Sequence, residues 1–93
     1  MDLDAIASKL QEKLAASGFD KSVKFDLGPD GVILADGADV KTQDGAADCT
    51  IAMTKSDFEE MLSGELNPTS AFMQGKLKVD GDMSVAMSLS SLL

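Results

Sequence analysis

Four Asp-Gly pairs constrain the fold of this chain more than any other feature of its sequence. They stand at positions 30–31, 36–37, 44–45 and 80–81. Glycine adopts positive φ without steric cost, and an Asp-Gly pair flanked by alternating apolar residues is a strong signal for a β-hairpin. The pairs therefore predict short strands joined by tight turns.

The segments around these pairs alternate apolar and polar residues, which is typical of half-buried strands. In the first segment Val23, Phe25 and Leu27 lie on one side, and Lys24 and Asp26 lie on the other. Five segments share this pattern, at 23–27, 32–36, 38–43, 47–53 and 76–80. We expect them to form an antiparallel meander with one apolar face and one face towards water.

Helical patterns precede, interrupt and follow the strands. Apolar residues recur at helical spacing between positions 3 and 14. The spacing from Ser56 to Glu59 is that of a capping box at a helix start. Asn67-Pro68 predicts the cap and the first position of a further short helix. A last helix is expected after residue 82.

These elements predict one α+β domain over residues 1–93, with a five-stranded, mostly antiparallel sheet and helices packed on one face. A length of 93 residues lies within the range of about 50–200 that is typical of single domains. Runs of strands with helices set apart on one side are characteristic of the α+β class.

The charge balance excludes some classes of function. The chain carries a net charge of −8, and most of its eight lysines are scattered. Binding of nucleic acid needs clustered basic residues, and anchoring on an anionic membrane gains about 1 kcal/mol for each basic residue near the surface. We therefore predict no nucleic-acid partner and no stable electrostatic anchoring on a membrane.

The residue types that most enzymes use for proton transfer and nucleophilic attack are scarce. Histidine is absent, so neither an imidazole base nor a Ser-His or Cys-His pair can form. A zinc site would need several Cys and His ligands, and the aspartates fit no complete EF-hand loop. The sequence predicts no catalytic residue, no metal site and no cofactor.

The single cysteine, Cys49, falls on the apolar side of its predicted strand. A buried thiol in apolar surroundings has a raised pKa and is unreactive, so we interpret Cys49 as structural. One cysteine cannot form an internal disulfide, the N-terminus lacks the features of a secretory signal, and no apolar run approaches the ~20 residues that span a bilayer. We expect a cytoplasmic protein.

The last segment, MSVAMSLSSLL at 83–93, carries more apolar surface than a helix packed on a sheet needs. As a helix it has one polar stripe, at Ser84, Ser88 and Ser91, and is apolar elsewhere. Either the helix is wedged in the core, or a bound lipid, a partner protein or a second copy covers its outer side. Five of the six methionines lie between positions 53 and 87, and methionine suits surfaces that accept varied apolar partners.

Several motifs follow one another at fixed spacing between residues 47 and 89. They are ADCTI at 47–51, DF at 57–58, NP at 67–68, SAF at 70–72, QGKLK at 74–78, and a last helix with Gly81, Met83, Ala86, Met87 and Leu89. This series closely resembles the second half of the sterol carrier protein type-2 domain family. The first half of the chain matches that family in layout.

The resemblance implies an apolar tunnel or cavity between the sheet and the helices. It also implies binding and transfer of fatty acids, fatty acyl thioesters or sterol-like lipids without chemistry. The candidate ligand-binding residues are apolar side chains and one amide: Phe25, Ile33, Met53, Phe58, Met61, Leu62, Phe72, Met73, Gln74, Leu77, Met83 and Met87. Gln74 is a candidate to bind the polar head of a ligand; alternatively, its side chain caps the short helix or a neighbouring backbone group.

The chain also departs from the family pattern. It is shorter than many members, which predicts a smaller or more open pocket. Its final Ser-Leu-Leu differs from the Ser-Lys-Leu-type peroxisomal address that some members carry, which favours a cytoplasmic module.

An alternative hypothesis is an accessory module that docks on a partner or forms a dimer through its apolar C-terminal helix. For the lipid carrier we expect a monomer that makes transient contact with membranes or with lipid-processing enzymes.

Overall fold

One five-stranded sheet, four α-helices and a short 3₁₀ turn make up residues 2–90, the part of the chain that the computed structural model describes. The helices are α1 (Leu3–Ser17), α2 (Lys55–Ser63), α3 (Pro68–Met73) and α4 (Met83–Ser90). The strands are β1 (Ser22–Asp26), β2 (Val32–Asp36), β3 (Asp39–Lys41), β4 (Cys49–Met53) and β5 (Leu77–Gly81), and the 3₁₀ turn spans Gly28–Asp30. The predicted α+β fold is confirmed.

The sheet is mixed, with the strands in the spatial order β3-β2-β1-β4-β5. Three neighbouring pairs are antiparallel, which confirms the mostly antiparallel sheet, but β1 and β4 are parallel. The predicted meander was therefore wrong. Residues 42–48 carry the chain from the edge strand β3 past β2 to the far side of β1. In the parallel register Phe25 pairs with Ile51, so the buried sides of β1 and β4 form one apolar face.

The Asp44-Gly45 pair belongs to this crossing connection and not to a hairpin. Asp44 Oδ1 lies 2.9 Å from Lys24 Nζ on β1, and a Cβ on Gly45 would lie 2.8 Å from Leu34 Cδ2 on β2. The connection thus crosses the outer face of the sheet. By contrast, residues 37–38 form the two-residue turn of a hairpin between β2 and β3, as the Asp-Gly signal predicts. Gly37 in this turn has φ of +60°.

Helix α2 begins two residues earlier than predicted. Thr54 has an extended backbone, with φ −79° and ψ 155°, and its side chain accepts a hydrogen bond of 3.1 Å from the Asp57 N–H. Thr54 is therefore the N-cap, and Ser56 already lies within the helix. The predicted capping box from Ser56 to Glu59 was wrong, because a cap requires the non-helical backbone that Thr54 supplies.

The core lies between the inner face of the sheet and the helices. Phe25 of β1 and Phe58 of α2 are fully buried and stack with their ring centroids 4.7 Å apart. Helix α1 packs over β2 and β3 with Ile6, Leu10 and Leu14 buried, whereas α4 packs over β4 and β5. The half of the sheet under α1 is thus filled by side chains of the chain itself.

None of the helices described between residues 2 and 90 combines the length and the apolar character needed to cross a membrane.

Candidate functional site

An open apolar pocket of about 340 Å³ lies between the β4–β5 side of the sheet and helices α2, α3 and α4. Its volume falls in the range of roughly 300–1,000 Å³ that is usual for small-molecule sites. The described residues that line it are Ile51, Met61, Pro68, Thr69, Phe72, Leu77, Val79, Met83, Ala86, Met87 and Leu89.

Strand β5 forms one wall of the pocket. Because side chains alternate along a strand, Leu77 and Val79 both line the pocket, while Lys78 between them is exposed. Val79 pairs with Ile51 of β4, which also lines the pocket. The edge of the sheet is therefore apolar towards the helices and charged towards water.

Helix α3 forms a second wall and begins at a well-defined cap. Asn67 Oδ1 accepts hydrogen bonds from the N–H groups of Thr69, at 2.8 Å, and Ser70, at 3.3 Å. Pro68 occupies the first helical position, where its missing N–H has no cost. The predicted Asn67-Pro68 start is confirmed, and it sets the rotation of a helix that contributes Pro68, Thr69 and Phe72 to the pocket.

The end of α3 holds the helix close to β5. Gly75 has φ of +74°, and its N–H donates to Phe72 O at 3.1 Å. The Lys76 N–H donates to Ala71 O at 2.9 Å. These two bonds satisfy the last carbonyl groups of the helix and turn the chain at once into β5. Phe72 and Leu77 therefore line the same pocket although they belong to different elements.

Helix α4 buries one side and exposes the other. Val85 and Leu89 are 2% and 1% exposed, whereas Met83 and Met87 are 47% and 69% exposed. The sequence left open whether this helix is wedged in the core or covers something else. The structure shows core packing on the side of Val85, while Met83 and Met87 line the pocket on the other side. The predicted polar residue Ser91 lies outside the described residues.

The pocket offers apolar contact and almost no polar group. Within its described lining Thr69 alone carries a hydroxyl, and no side chain there is charged. Such a surface can bind an apolar guest, but it supplies no acid or base for proton transfer. Across residues 2–90 no group of three or more His, Cys, Asp or Glu is placed to hold a metal ion.

The twelve residues predicted to bind a ligand fall into three groups. The residues that line the pocket are Met61, Phe72, Leu77, Met83 and Met87. The residues buried in the core outside this lining are Phe25, Ile33, Met53, Phe58 and Leu62. The residues exposed at the end of α3, also outside the lining, are Met73 and Gln74. Side chains of the second group pack within the core, as Phe25 and Phe58 do when they stack on each other.

Six lining residues were not predicted from the sequence: Ile51, Pro68, Thr69, Val79, Ala86 and Leu89. Periodicity could have found half of them. Val79 follows Leu77 by two positions in a strand, Ile51 precedes Met53 by two positions in another, and Ala86 follows Met83 by three positions in a helix. Pro68 and Thr69 carry no such signal, because a cap region has no apolar period.

Gln74 is the C-cap residue of α3. Its backbone N–H donates to Ser70 O at 3.0 Å, and its side chain is exposed. A hydrogen bond from the Gln74 amide to the polar head of a guest would therefore form outside the lining, in contact with water.

Cys49 is fully enclosed in β4 and lies outside the pocket lining. Burial raises the pKa of its thiol, and the negative charges of Asp82 and Asp80 raise it further. Since the thiolate is the reactive form, this environment keeps Cys49 unreactive and supports the structural role inferred for it.

Comparison with known proteins places these features in a family. A model of the SCP-2 sterol transfer family matches residues 2–93. The sterol carrier protein 2 of Homo sapiens is 50% identical over 56 residues, which make up 60% of this chain and 10% of that protein. The chain thus spans about a tenth of the length of the curated relatives it matches.

Solved structures share the fold over nearly the whole chain. Sterol Carrier Protein 2 Like 2 from Aedes aegypti superposes with a TM-score of 0.81 and 17% identity, covering 98% of this chain and 95% of that one. The solution NMR structure of palmitated SCP2L2 from Aedes aegypti has a TM-score of 0.75 and 20% identity, covering 99% of this chain and 94% of that one. At sequence identities of 17% and 20%, these comparisons show a shared fold and no more.

Proposed function

The chain belongs to the SCP-2 sterol transfer family, and we propose that it binds a lipid with a single aliphatic chain in the open apolar pocket and transfers it without chemical change. The observation that carries this proposal is the lining, which is apolar apart from Thr69 and leaves Phe72, Met83 and Met87 exposed at its edge. Exposed apolar surface of this kind marks a binding site more often than a free surface.

The size of the pocket favours one chain of moderate length. If a methylene group takes up about the ~30 Å³ that a water molecule occupies in the liquid, then 340 Å³ holds roughly eleven such groups. Fatty acids and fatty acyl thioesters share such a chain, and a structural relative is described as palmitated.

The strength of binding follows from the buried chain. About eleven methylene groups at ~0.8 kcal/mol each contribute roughly 9 kcal/mol. The loss of translational freedom and the ordering of side chains offset about 4 kcal/mol or more of this gain. The remainder of roughly 5 kcal/mol or less corresponds to a Kd of about 0.2 mM or weaker. Selectivity between chain lengths is low, because one methylene in an apolar pocket changes binding by only about 1–3 kcal/mol.

We propose that the chain enters tail first and that the polar head stays at the opening. An unpaired carboxylate is costly to bury, and the described lining contains no cation. The Thr69 hydroxyl is available at the lining, and Gln74 and Lys76 are exposed at the end of α3. Gln74→Ala is then expected to alter selectivity for the head group more than total affinity.

Uptake of a fluorescent fatty acid of about twelve carbons by delipidated protein tests this proposal. Ala86→Phe places a phenyl ring into the pocket and should reduce the affinity by tenfold or more. Because the pocket has free volume, the cost of overpacking, typically about 1–3 kcal/mol in a filled core, should be largely avoided. Ala16→Phe, on the exposed side of α1, is the matched control and should bind normally. Equal binding by both variants and the unchanged protein would contradict the pocket as the site.

A dimer formed through α4 is the second candidate, and the exposure of Met83 and Met87 favours it. Association would cover the same side chains as a guest does. Native mass spectrometry separates the two functions, since it shows bound lipid mass and oligomeric state together. A lipid-free dimer that dissociates on dilution and when Met87 is replaced by Lys would favour the second function.

We also propose that the carrier acts as a monomer in the cytoplasm. The enclosed position of the single cysteine is compatible with a reducing compartment. Sedimentation of the lipid-loaded protein, and fractionation of cells that express it, test these two points.

A further inference from the structure

Strand β5 forms one edge of the sheet, so part of its backbone faces away from the other strands. The Asp82 N–H donates to Asp48 O at 3.0 Å, which continues the register of β5 with β4. Because the direction of hydrogen bonding alternates along a strand, the residues of even number direct their N–H and C=O groups towards β4. Leu77, Val79 and Gly81 therefore direct theirs outward, at the free edge.

The side chains on the outer face of this strand carry charge in a symmetric order. Lys76, Lys78, Asp80 and Asp82 are all exposed. Two positive charges thus precede Val79, and two negative charges follow it at the same distances along the chain. A stretch with this order is complementary in charge to a second copy of itself that runs in the opposite direction.

The neighbouring strand supplies no opposite charge for the two central residues. Lys78 pairs with Ala52 of β4, and Asp80 pairs with Thr50. Within residues 2–90 neither Lys78 nor Asp80 takes part in an ion pair. The side of β5 that is open to a charged partner is therefore its free edge.

We propose that β5 pairs with β5 of a second copy of the chain, antiparallel and centred on Val79, so that two five-stranded sheets become continuous. The N–H of Val79 in each copy then donates to the carbonyl of Val79 in the other, and Leu77 lies opposite Gly81 of the second copy. Such a two-fold contact uses the same surface on both copies. The inference does not depend on the lipid-binding function.

The order of charges selects this register over its neighbours. Lys78 lies opposite Asp80 of the second copy, and Lys76 lies opposite Asp82 of the second copy. A shift by one step of the ladder would place either Lys78 opposite Lys78 or Asp80 opposite Asp80. These residues occupy non-hydrogen-bonded pairs, in which side chains approach most closely. Opposite charges are therefore favourable there and like charges are unfavourable.

Charged residues on an edge strand often prevent pairing with another chain. Lysine alone at this edge would repel a second copy, but here each lysine of one copy faces an aspartate of the other. The net charge of −8 on each copy opposes association. Its effect is limited, because charges more than about 8 Å apart are largely screened at physiological ionic strength. The charges of β5 thus specify the partner instead of excluding it.

The association is weak and reversible. A contact through one short strand of each copy is small compared with the roughly 1,200–2,000 Å² that stable complexes bury. The monomer proposed for the carrier therefore prevails in dilute solution, and the dimer forms as the concentration rises. Since Val79 lines the pocket, the pockets of the two copies adjoin at the joined edge.

Sedimentation of lipid-free protein at concentrations up to about 1 mM tests the proposal. Lys78→Glu and Asp80→Lys each bring like charges together twice in the dimer, and each should raise the Kd of dimer formation at least tenfold. An equimolar mixture of the two variants should associate as tightly as the unchanged protein, because the exchanged charges are again opposite in the mixed dimer. Lys9→Glu makes the same change of net charge as Lys78→Glu on an exposed position of α1. Its Kd should stay within about twofold of the unchanged protein.

Disulfide formation checks the register. When Lys78→Cys and Asp80→Cys are mixed under mild oxidation, they should join to each other faster than either joins to itself. The reason is that positions 78 and 80 of different copies lie opposite each other, with Cα atoms about 4.5 Å apart, within the range of a disulfide. Cys49 is enclosed and does not compete. Faster joining of either variant to itself would indicate another register and overturn the proposal.

The remaining outcomes are equally decisive. The unchanged protein would stay monomeric at every concentration if the edge paired only with a strand of another protein, and this result would overturn the proposal. Association that both charge variants leave unchanged, or that their mixture does not restore, would contradict it as well. Met87→Lys should not weaken this dimer, and a loss of association in that variant would assign the contact to α4.

Failure of this dimer is distinguishable from failure of the lipid-binding function. Lys78 lies outside the pocket lining, so Lys78→Glu should take up the fatty acid probe as the unchanged protein does. Dimer formation is measured without lipid, and probe uptake is measured in dilute solution. Each result therefore stands without the other, and recovery of association in the mixture shows that both charge variants are folded.

Discussion

Replacement of Gly81 by alanine tests the junction between β5 and α4, on which the shape of the pocket depends. Gly81 is the last residue of β5, pairs with Cys49 and has φ of +110°. A Cβ at this position would lie 2.6 Å from Asp48 O and 3.2 Å from Cys49 Cα. Both atoms belong to the main chain, so they cannot move away without displacing the start of β4.

The expected loss of stability has two parts. A non-glycine residue in this region of φ costs about 1–3 kcal/mol, and relief of the close contact by a backbone shift costs a further 1–3 kcal/mol or so. We expect about 3 kcal/mol in total. A domain of this size has a free energy of unfolding of about 5–15 kcal/mol, so the variant should still fold. Its Tm should fall by roughly 4–8 °C for each kcal/mol.

Urea unfolding of Gly81→Ala and of Gly18→Ala separates the cost of backbone strain from the cost of the close contact. Gly18 ends α1 with φ of +73° and ψ of 25°, and a Cβ there would have no atom within 4 Å. Gly18→Ala therefore carries backbone strain alone and should cost about 1–2 kcal/mol. Gly81→Ala should also weaken uptake of the fatty acid probe, whereas Gly18→Ala should not. Equal losses of stability in the two variants would refute the contribution assigned to the contact with β4.

Three further substitutions or measurements address the core, the α3 cap and the thiol. Phe58→Ala should cost about 3–5 kcal/mol in urea unfolding, because it removes a fully buried ring that stacks on Phe25; a loss below 1 kcal/mol would contradict this packing. Asn67→Ala should cost about 1 kcal/mol and weaken probe binding, and Asn67→Asp should restore both, since the carboxylate can accept the same hydrogen bonds. Cys49 should react with a thiol reagent only when the protein unfolds. Because burial raises the pKa of Cys49 in the folded state, the contribution of Cys49 to stability should be constant below the ordinary thiol pKa of about 8.5. It should fall as the pH rises above that value, and Cys49→Ala should remove this fall.

The strands could be predicted because alternation is a local property of a sheet with two unlike faces. The VILAD segment coincides with β2 at 32–36, and the segment predicted at 76–80 lies within one residue of β5. The order of the strands is not local. The parallel pairing of β1 and β4 depends on the register of Phe25 with Ile51, which no turn dipeptide specifies. Asp44-Gly45 therefore predicts a hairpin that the chain does not form.

The apolar pattern shows which side chains face inward, but not whether the space in front of them is filled. Phe58 and Phe72 look alike in the sequence, since each is an apolar residue in a short helix that follows a cap. Phe58 stacks within the core, whereas Phe72 is half exposed beside the pocket. The difference arises from the neighbouring elements: α2 packs against α1, while α3 is only six residues long and packs chiefly against β5.

Helix α4 carries more apolar surface than its contact with the sheet uses. Val85 and Leu89 already supply its contact with the sheet, so polar residues at positions 83 and 87 would leave the core intact. Met83 and Met87 therefore add apolar surface to the pocket beyond what the contact of α4 with the sheet uses. Covering apolar surface gains about 25 cal/mol per Å², and a flexible thioether side chain adapts to guests of different shape. Under the proposed function, an aliphatic guest covers these two side chains and so completes the core on this side of the sheet.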